Sequence, residues 1–565
     1  MTQDPRFAAR NEDRDGSIDR RTLLTRAAGL GVATAALPGF LAACSDSSST
    51  PAASTAAWNG QPVTQPFGLS FQGPPHRGGT LKWAYQYPPI PQLDPQLPTN
   101  GTNADLNILL NVYDQLTNLV PGQLRNGPGL AEHWEIDPAG LNYTFYLRDA
   151  EFSNGDTVTG ADVAFSLNRF ANPNINSQYS FLSSAVESTK ALDAKTVRVT
   201  LKYPQAMFLD ATGHATASIV PQRVVEKLGK AFGQNPVGSG AFVLQSNTPG
   251  KSITLARNPN YRKPGQPYVD STTFLYIPDD ASRLFQVISG AADIGFPVPY
   301  AQLNQYLAVA GTRLQMEPYT NIIGGAFNLH VKPFQDVNVR LALNYAAPRH
   351  VMVTNVFMGA PLPANTALSR TKFWDPNQPA LPYDPSKANA LLAASSAPTG
   401  FSARLLIVET DTDSTAMATI LQTAWSQIEV KLNIQTADYD TVLARVYTPT
   451  PDYDIVLFPP DYASADIGDD DDIAMWYYTP LKVDAGGFYY DVPMVTNLVG
   501  QAGSSPNQSL RRSIFERLQR YCYAVNPCGL PIALGCSRTL VASQVQGLQT
   551  QLNNSWRLEN VWLNA

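Results

Sequence analysis

Charge is scarce in this sequence. Only 15% of its 565 residues are Asp, Glu, Lys or Arg, against about a quarter in ordinary globular chains. The 40 basic and 46 acidic residues leave a net charge of −6, and no basic run exists to track a phosphate backbone, which argues against nucleic acid as a partner. Histidine is equally thin: His76, His133, His214, His330 and His350 are scattered, with no pair at helical ligand spacing, which weakens any metal reading. The four cysteines contain no Cys-x-x-Cys pair, so redox and zinc motifs are missing as well. A Gly-x-Ser-x-Gly elbow and a His-Glu-x-x-His helix are both absent, and Gly238-Ser239-Gly240 lacks the elbow's spacing, so an exported hydrolase has no motif to support it. What is present is a folding composition, 44% hydrophobic and 10% aromatic, long enough for two to four domains at roughly 100 to 200 residues each.

The first 44 residues have the layout of an export signal. Arg20 and Arg21 precede Thr22, Leu23 and Leu24, and an uncharged apolar run follows from Ala27 to Leu41. Counted even to Ala43 the run falls short of the about 20 residues a spanning helix needs, and Gly29, Gly31, Pro38 and Gly39 weaken it further. Leu41-Ala42-Ala43-Cys44 resembles a bacterial lipobox with Cys44 as the lipid attachment site, and the paired arginines resemble a twin-arginine signal. Asn11 to Asp19 imitates the start of a calcium loop, but Thr22 stands where the bidentate Glu belongs. Residues 45–77, rich in Ser, Thr, Ala, Pro and Gln, read as a flexible linker. Cys522, Cys528 and Cys536 remain, with one pair available for a bridge and the connectivity open.

The body alternates strands and helices. Thr80 to Tyr85 reads as a strand running into a Pro-rich loop, Tyr87 to Pro95, at a strand end where α/β sheets place ligands. Tyr143–Leu147, Val197–Leu201 and Ile253–Ala256 alternate as strands, and Thr159–Phe170 has helical spacing. From Ala403 to Phe458 the order is strand, helix (Thr415–Ile428, apolar along Ile420, Leu421, Ala424 and Ile428), strand, helix, strand, which implies parallel pairing through right-handed crossovers. Ser509 to Val525 reads as an amphipathic helix whose arginines form a solvated face. Asp469 to Asp472 reads as a solvated acidic turn.

A series of blocks, all in one order, carries a family resemblance. Gly78-Gly79-Thr80-Leu81 with Leu93-Asp94-Pro95 is followed by Asn111-Val112-Tyr113-Asp114-Gln115-Leu116, Pro128 to Glu135, Tyr143 to Arg148 and Phe152 to Asp156. Ala161 to Leu167, Pro236 to Phe242, Arg257 to Tyr261, Ser289 to Ile294 and Val339 to Ala346 continue it. These resemble the family 5 extracellular solute-binding proteins, the oligopeptide and dipeptide receptors of ABC importers. Most of the blocks have a structural explanation: Trp134, Tyr143, Phe145 and Leu147 read as core, Gly155 and Gly240 as turn positions.

The resemblance implies an α/β, two-lobed periplasmic-binding-protein-like fold with a hinge and an extra subdomain. Lobe I would be 78–320 plus 533–565 with the subdomain near 121–236, and lobe II 321–532. The crossings would fall near Tyr319–Asn328 and Pro531–Gly535. It implies a membrane-tethered monomer on the outer face of the cytoplasmic membrane, with no catalytic residue and no cofactor, that captures short peptides for an ABC permease. A nickel chelate, haem or an oligosaccharide stays open as the solute. Asp461, after the apolar strand Tyr453–Phe458 and Pro459-Pro460, occupies the register of the amine-binding acid of peptide receptors; a turn role after two prolines is the alternative. Tyr462 adjoins it, and Trp476 adds aromatic surface whose alternative is core packing. Tyr179 lies in a subdomain stretch that reaches solute in some relatives, and Asn328 at the expected crossing, where hinge geometry is the equal alternative. Relatives follow the acid with Asp-Pro, where this chain has Ala463 to Gly468, which keeps the ligand class open.

Overall fold

The computed structural model describes residues 61–64, 73–88, 92–97, 103–175, 177, 179–446, 448, 450–460, 470, 490 and 492–564. Cys44, Asp461, Tyr462, Trp476 and the acidic run except Asp470 lie outside them. In chain order the strands of the three larger sheets are β1 (Thr80–Tyr85), β2 (Ala131–Ile136), β3 (Asn142–Leu147), β4 (Val186–Ala191), β5 (Thr196–Leu201), β6 (Phe242–Thr248), β7 (Ser252–Arg257), β8 (Ser271–Tyr276), β9 (Ile294–Phe296), β10 (Thr312–Pro318), β11 (Ile323–Phe327), β12 (Leu362–Pro363), β13 (Phe401–Val408), β14 (Val430–Ala437), β15 (Ile455–Leu457), β16 (Gly529–Leu534) and β17 (Cys536–Ala542).

They form two mixed sheets and a smaller antiparallel one. The first sheet runs β10-β17-β9-β1-β8-β7-β6, with β1 parallel to both β8 and β9. The second runs β12-β16-β11-β15-β13-β14, with β13 parallel to β14 and β15. The chain passes from the first sheet to the second between Pro318 and Ile323, and returns between Leu534 and Cys536. A Cβ on Gly535 would lie 2.3 Å from Asn321 Oδ1, so the two passages touch. The antiparallel sheet β2-β3-β5-β4 is a subdomain inserted in the first lobe.

Alternation explains the strands: Leu81 and Trp83 are buried in β1 beside exposed Thr80 and Lys82. The first core is aromatic, with Trp83 edge-on to Trp556 at 5.1 Å and Phe296 to Trp556 at 4.9 Å. Helix α1 (Asn103–Val112) pins the C-terminal tail there: Asn111 Nδ2 donates to Trp556 O while Leu558 N donates to Asn111 Oδ1. That explains the first residue of the Asn111 block as a long-range tether rather than a solute contact. Asp94 from the loop after β1 takes both Nη groups of Arg169 at 2.7 Å, joining that loop to helix α2 (Gly160–Phe170). Thr159 and Asp162 close α2 with a reciprocal capping box.

Several expectations are corrected. Gly155 is a turn glycine, at φ +86°, but Gly240 is a packing glycine: a Cβ there would lie 2.7 Å from Asn111 O, so the helix α1 backbone excludes one. Helix α5 (Thr412–Ser426) follows α3 (Asp280–Ile288) and α4 (Val337–Tyr345) in the chain and begins three residues early, because Asp411 caps it by accepting from Ser414 N. Its buried stripe is Met417, Ala418, Leu421, Ala424 and Trp425, rotated from the expected one because Trp425 Nε1 reaches Leu343 O on α4. After α6 (Tyr439–Val446), the expected Ser509–Val525 helix is α7 (Gln508–Arg520) followed by a π-type turn over Tyr521–Val525. Its Arg511 is not solvated; it is 1% exposed, stacked over Phe373 at 5.1 Å. Cys522, Cys528 and Cys536 are buried and unbridged. Within the expected linker, Gln61–Thr64 is docked: Val63 is buried and its N–H donates to Ala360 O at 2.7 Å.

Candidate functional site

The carboxyl ends of the parallel strands of both sheets face one cavity of about 220 Å³. Such strand ends are where open α/β sheets leave a crevice, because the loops leaving adjacent strands diverge there. From the first lobe come Tyr87 and Pro88 after β1, Pro278 after β8, Pro297 after β9, and Arg538 of β17. From the second come Glu409 to Asp413 after β13, Asp438 to Asp440 after β14, and Pro459 and Pro460 after β15.

Local chemistry fixes these walls. Asp411 and Asp438 stand where a strand hands over to a helix and accept its first N–H groups: Ser414 N on Asp411, Thr441 N and Oγ1 on Asp438. The Thr441 hydroxyl and amide hold the Asp438 carboxyl below the usual carboxylate range. Burial, with Asp440 adding repulsion, pushes the Tyr276 phenol up. Arg538 is buried, donating from Nε to Val298 O at 2.7 Å with its guanidinium 3.5 Å from the centre of the Tyr300 ring. The lobes meet across the cavity: the Tyr87 and Tyr439 rings lie 5.4 Å apart, and Tyr300 N donates to Asp413 Oδ2.

The lining is strongly anionic. Asp280, Glu409, Asp411, Asp413, Asp438 and Asp440 face one guanidinium. Asp280 pairs with Arg283 and the capping acids are engaged, whereas Glu409 and Asp440 make no side-chain hydrogen bond or ion pair among the described residues. A cationic group entering here gains more than an anionic one. Among the described residues no group of His, Cys, Asp and Glu could hold a metal ion, and no helix is long and apolar enough to cross a membrane.

Of the residues expected from the sequence, the two among the described residues, Tyr179 and Asn328, lie away from this cavity. Tyr179 is buried in the subdomain, its ring 4.5 Å from His214. Asn328 follows β11 at its end away from the passage between lobes, where Nδ2 donates to Tyr453 O at 2.8 Å. Neither lines the cavity. Asp461 and Tyr462 follow Pro460 of the cavity wall directly, outside the described residues, as does Trp476. Missing from the sequence reading were Glu409, Asp411, Asp438 and Asp440. Their signal is present: Val408-Glu409-Thr410-Asp411 and Ala437-Asp438 each place an acid between an apolar strand and a helix start.

The family model for bacterial extracellular solute-binding proteins, family 5 Middle, matches residues 127–484. The glutathione-binding protein GsiB of Salmonella typhimurium is 30% identical over 323 residues, 56% of this chain and 62% of that protein, so the match spans less than two thirds of its length. Among solved structures, the periplasmic binding protein DppA of Helicobacter pylori in complex with the peptide STSA superposes with TM-score 0.76 at 22% identity, covering 87% of this chain and 99% of that one. NikZ of Campylobacter jejuni in complex with Ni(L-His) superposes with TM-score 0.73 at 21% identity, covering 85% and 97%. One fold thus carries a peptide in one neighbour and a nickel complex in the other, so solute chemistry has to be read from the site.

Proposed function

Since the chain belongs to the family 5 bacterial extracellular solute-binding proteins, whose members bind solutes rather than transform them, we propose that it captures short peptides between its lobes and presents them to an ABC permease. The observation that carries this reading is the anionic cavity where the strand ends of both sheets converge. It suits a ligand with a desolvated ammonium group, and its about 220 Å³ lies below the roughly 300 to 1,000 Å³ of drug-sized sites, which favours a solute of few residues. GsiB, the relative named for glutathione, is itself named for a short peptide. Calorimetry with a mixture of di- to pentapeptides, followed by mass spectrometry, should give heat of binding and unchanged peptide masses. New fragments would move the chain to the hydrolases, and binding of a nickel–histidine complex in place of peptides would reassign the solute.

Export and anchoring belong to the same proposal. Cys44 is the lipid attachment site and Arg20-Arg21 directs the twin-arginine route, on the sequence order of charged, apolar and small residues. Cys44→Ala should abolish fatty-acid labelling and move the protein out of the membrane fraction; labelling equal to wild type would end the anchor reading. Replacing both arginines by lysine should leave unprocessed chain inside the cell, and normal export of that variant would leave the general secretory route.

A further inference from the structure

The docked residues Gln61–Thr64 reach the hinge, not merely the second lobe. Val63 is 2% exposed, and both of its backbone groups are engaged: the N–H with Ala360 O at 2.7 Å, the carbonyl with Arg370 Nη1 at 3.1 Å. Arg370 Nη2 donates in turn to Leu534 O at 2.9 Å. Leu534 ends β16, and Gly535 alone separates it from Cys536 of the first sheet. Thr64 faces the other passage, sharing a cavity of about 170 Å³ with Pro318, Tyr319 and Thr320, and with Leu552 of the C-terminal tail. The segment is therefore joined to one connection through Arg370 and faces the other across a shared cavity.

We infer that Gln61–Thr64 is a clasp on the hinge, whose docking favours the closed arrangement of the lobes. The chain between Val63 and Gly78, whose N–H is fixed on Tyr268 O in the first lobe, is 14 residues long. At about 3.3 Å per extended residue those residues bound only the maximum span, and the clasp is held by the contacts of Val63 itself. It acts locally. Hinge bending is absorbed by backbone rotation in the few residues joining two bodies, here 319–322 and Gly535. Rotation there moves the wall against which Thr64 lies and the Leu534 carbonyl that shares Arg370 with Val63. Docking and lobe angle are therefore linked, and linkage is reciprocal: whatever withdraws Val63 favours opening, and whatever holds the lobes closed tightens the dock. The closed contacts Tyr87–Tyr439 and Tyr300–Asp413 coexist with the docked clasp. This holds whichever solute the cavity takes.

Spin labels on Lys251→Cys in the first lobe and Lys431→Cys in the second, both exposed positions, report the lobe separation in the ligand-free full chain by pulsed dipolar spectroscopy. Val63→Asp, and replacement of Gln61–Thr64 by Gly-Gly-Ser-Gly, should each raise the ratio of long to short distances roughly five- to tenfold, the scale of one or two lost hydrogen bonds. Distance distributions identical to wild type in both variants, with unchanged thermal unfolding, would overturn the inference. Hydrogen exchange of the unsubstituted chain tests the dock itself: the Val63 amide should exchange at least about a hundredfold more slowly than in an unfolded peptide, and exchange at the unfolded rate would equally overturn it.

Discussion

Acidification from pH 6.5 to pH 4 should remove about 3 kcal/mol of folding stability through one residue, His214. Its ring is 5% exposed, and burial lowers its pKa from the usual 6.5 to about 3. Thr216 N donates to Nδ1, so the proton of the neutral ring sits on Nε2, which has no hydrogen-bond partner in the fold. The Tyr179 ring covers it at 4.5 Å, and Arg557 lines the same small cavity. Among the described residues lining that cavity there is no carboxylate to answer an added charge. The folded pKa lies below the unfolded one, so between about pH 6.5 and 3 the unfolded chain binds the extra proton, and stability falls as pH falls. Each pKa unit is worth 1.36 kcal/mol, and about 2.5 units are crossed by pH 4. Buried Glu317 works the other way, since its raised pKa favours the fold on acidification. The N-cap and turn acids Asp279, Asp336 and Asp438, all lowered, lose their contribution only below the unfolded carboxylate range. His214→Gln keeps an acceptor near Thr216 and removes the titration. Urea unfolding at half-unit pH steps should show the slope between pH 6 and 4 reduced by close to one proton in the variant; equal slopes in the two proteins would refute the assignment.

The alternation of strands and helices was legible because its causes are local. Alternation in Thr80–Tyr85 and Val430–Ala437 and the Thr159 cap are properties of a few adjacent residues. The parallel pairing of β13 with β14 and β15 follows from the intervening helices, which leave no hairpin route. What periodicity does not carry is the return of residues 536–542 to lie between β9 and β10, more than 200 residues away in sequence. The family resemblance assigned residues 533–565 to the first lobe but gave no strand position for them. The cavity is illegible for the same reason. Tyr87, Glu409, Asp438 and Arg538 become neighbours through strand register in two sheets, and no window of sequence contains more than one of these segments. Asn328 shows the opposite error. A polar residue beside a lobe connection suggests a ligand contact, yet its amide closes β11 against Tyr453 and is an ordinary satisfied buried group. Arg511 fails similarly: four other charges on α7 imply a wet face, but one guanidinium finds the Phe373 and Phe515 rings and the Ala502 carbonyl.

The largest effect on binding is expected at Asp461. It follows Pro459 and Pro460, which line the cavity after β15, and we propose that its carboxylate pairs with the α-ammonium of a bound peptide. Three of the carboxylates lining the cavity are already engaged, Asp411 and Asp438 by the amides they cap and Asp280 by Arg283, which leaves Glu409 and Asp440 as competitors. Removing one partner of a pair enclosed between the lobes leaves the other charge desolvated and unmatched. Asp461→Ala should therefore weaken peptide binding by about 3 to 5 kcal/mol, more than roughly a hundredfold at 1.4 kcal/mol per decade. Asp461→Asn restores a hydrogen-bond acceptor without the charge and should recover only part of the loss. N-acetylated peptides should bind the unsubstituted protein poorly and be nearly indifferent to either substitution, because the cation is already gone. The two changes should thus be strongly non-additive in a double cycle. Glu409→Gln and Asp440→Asn test the competing idea that the general negative field suffices: each should cost well under 1.4 kcal/mol, less than tenfold, if the specific pair dominates. Equal calorimetric affinities for free and acetylated peptides, or wild-type affinity in a folded Asp461→Ala protein, would return Asp461 to a turn residue and leave amine recognition to the carboxylates at the ends of β13 and β14.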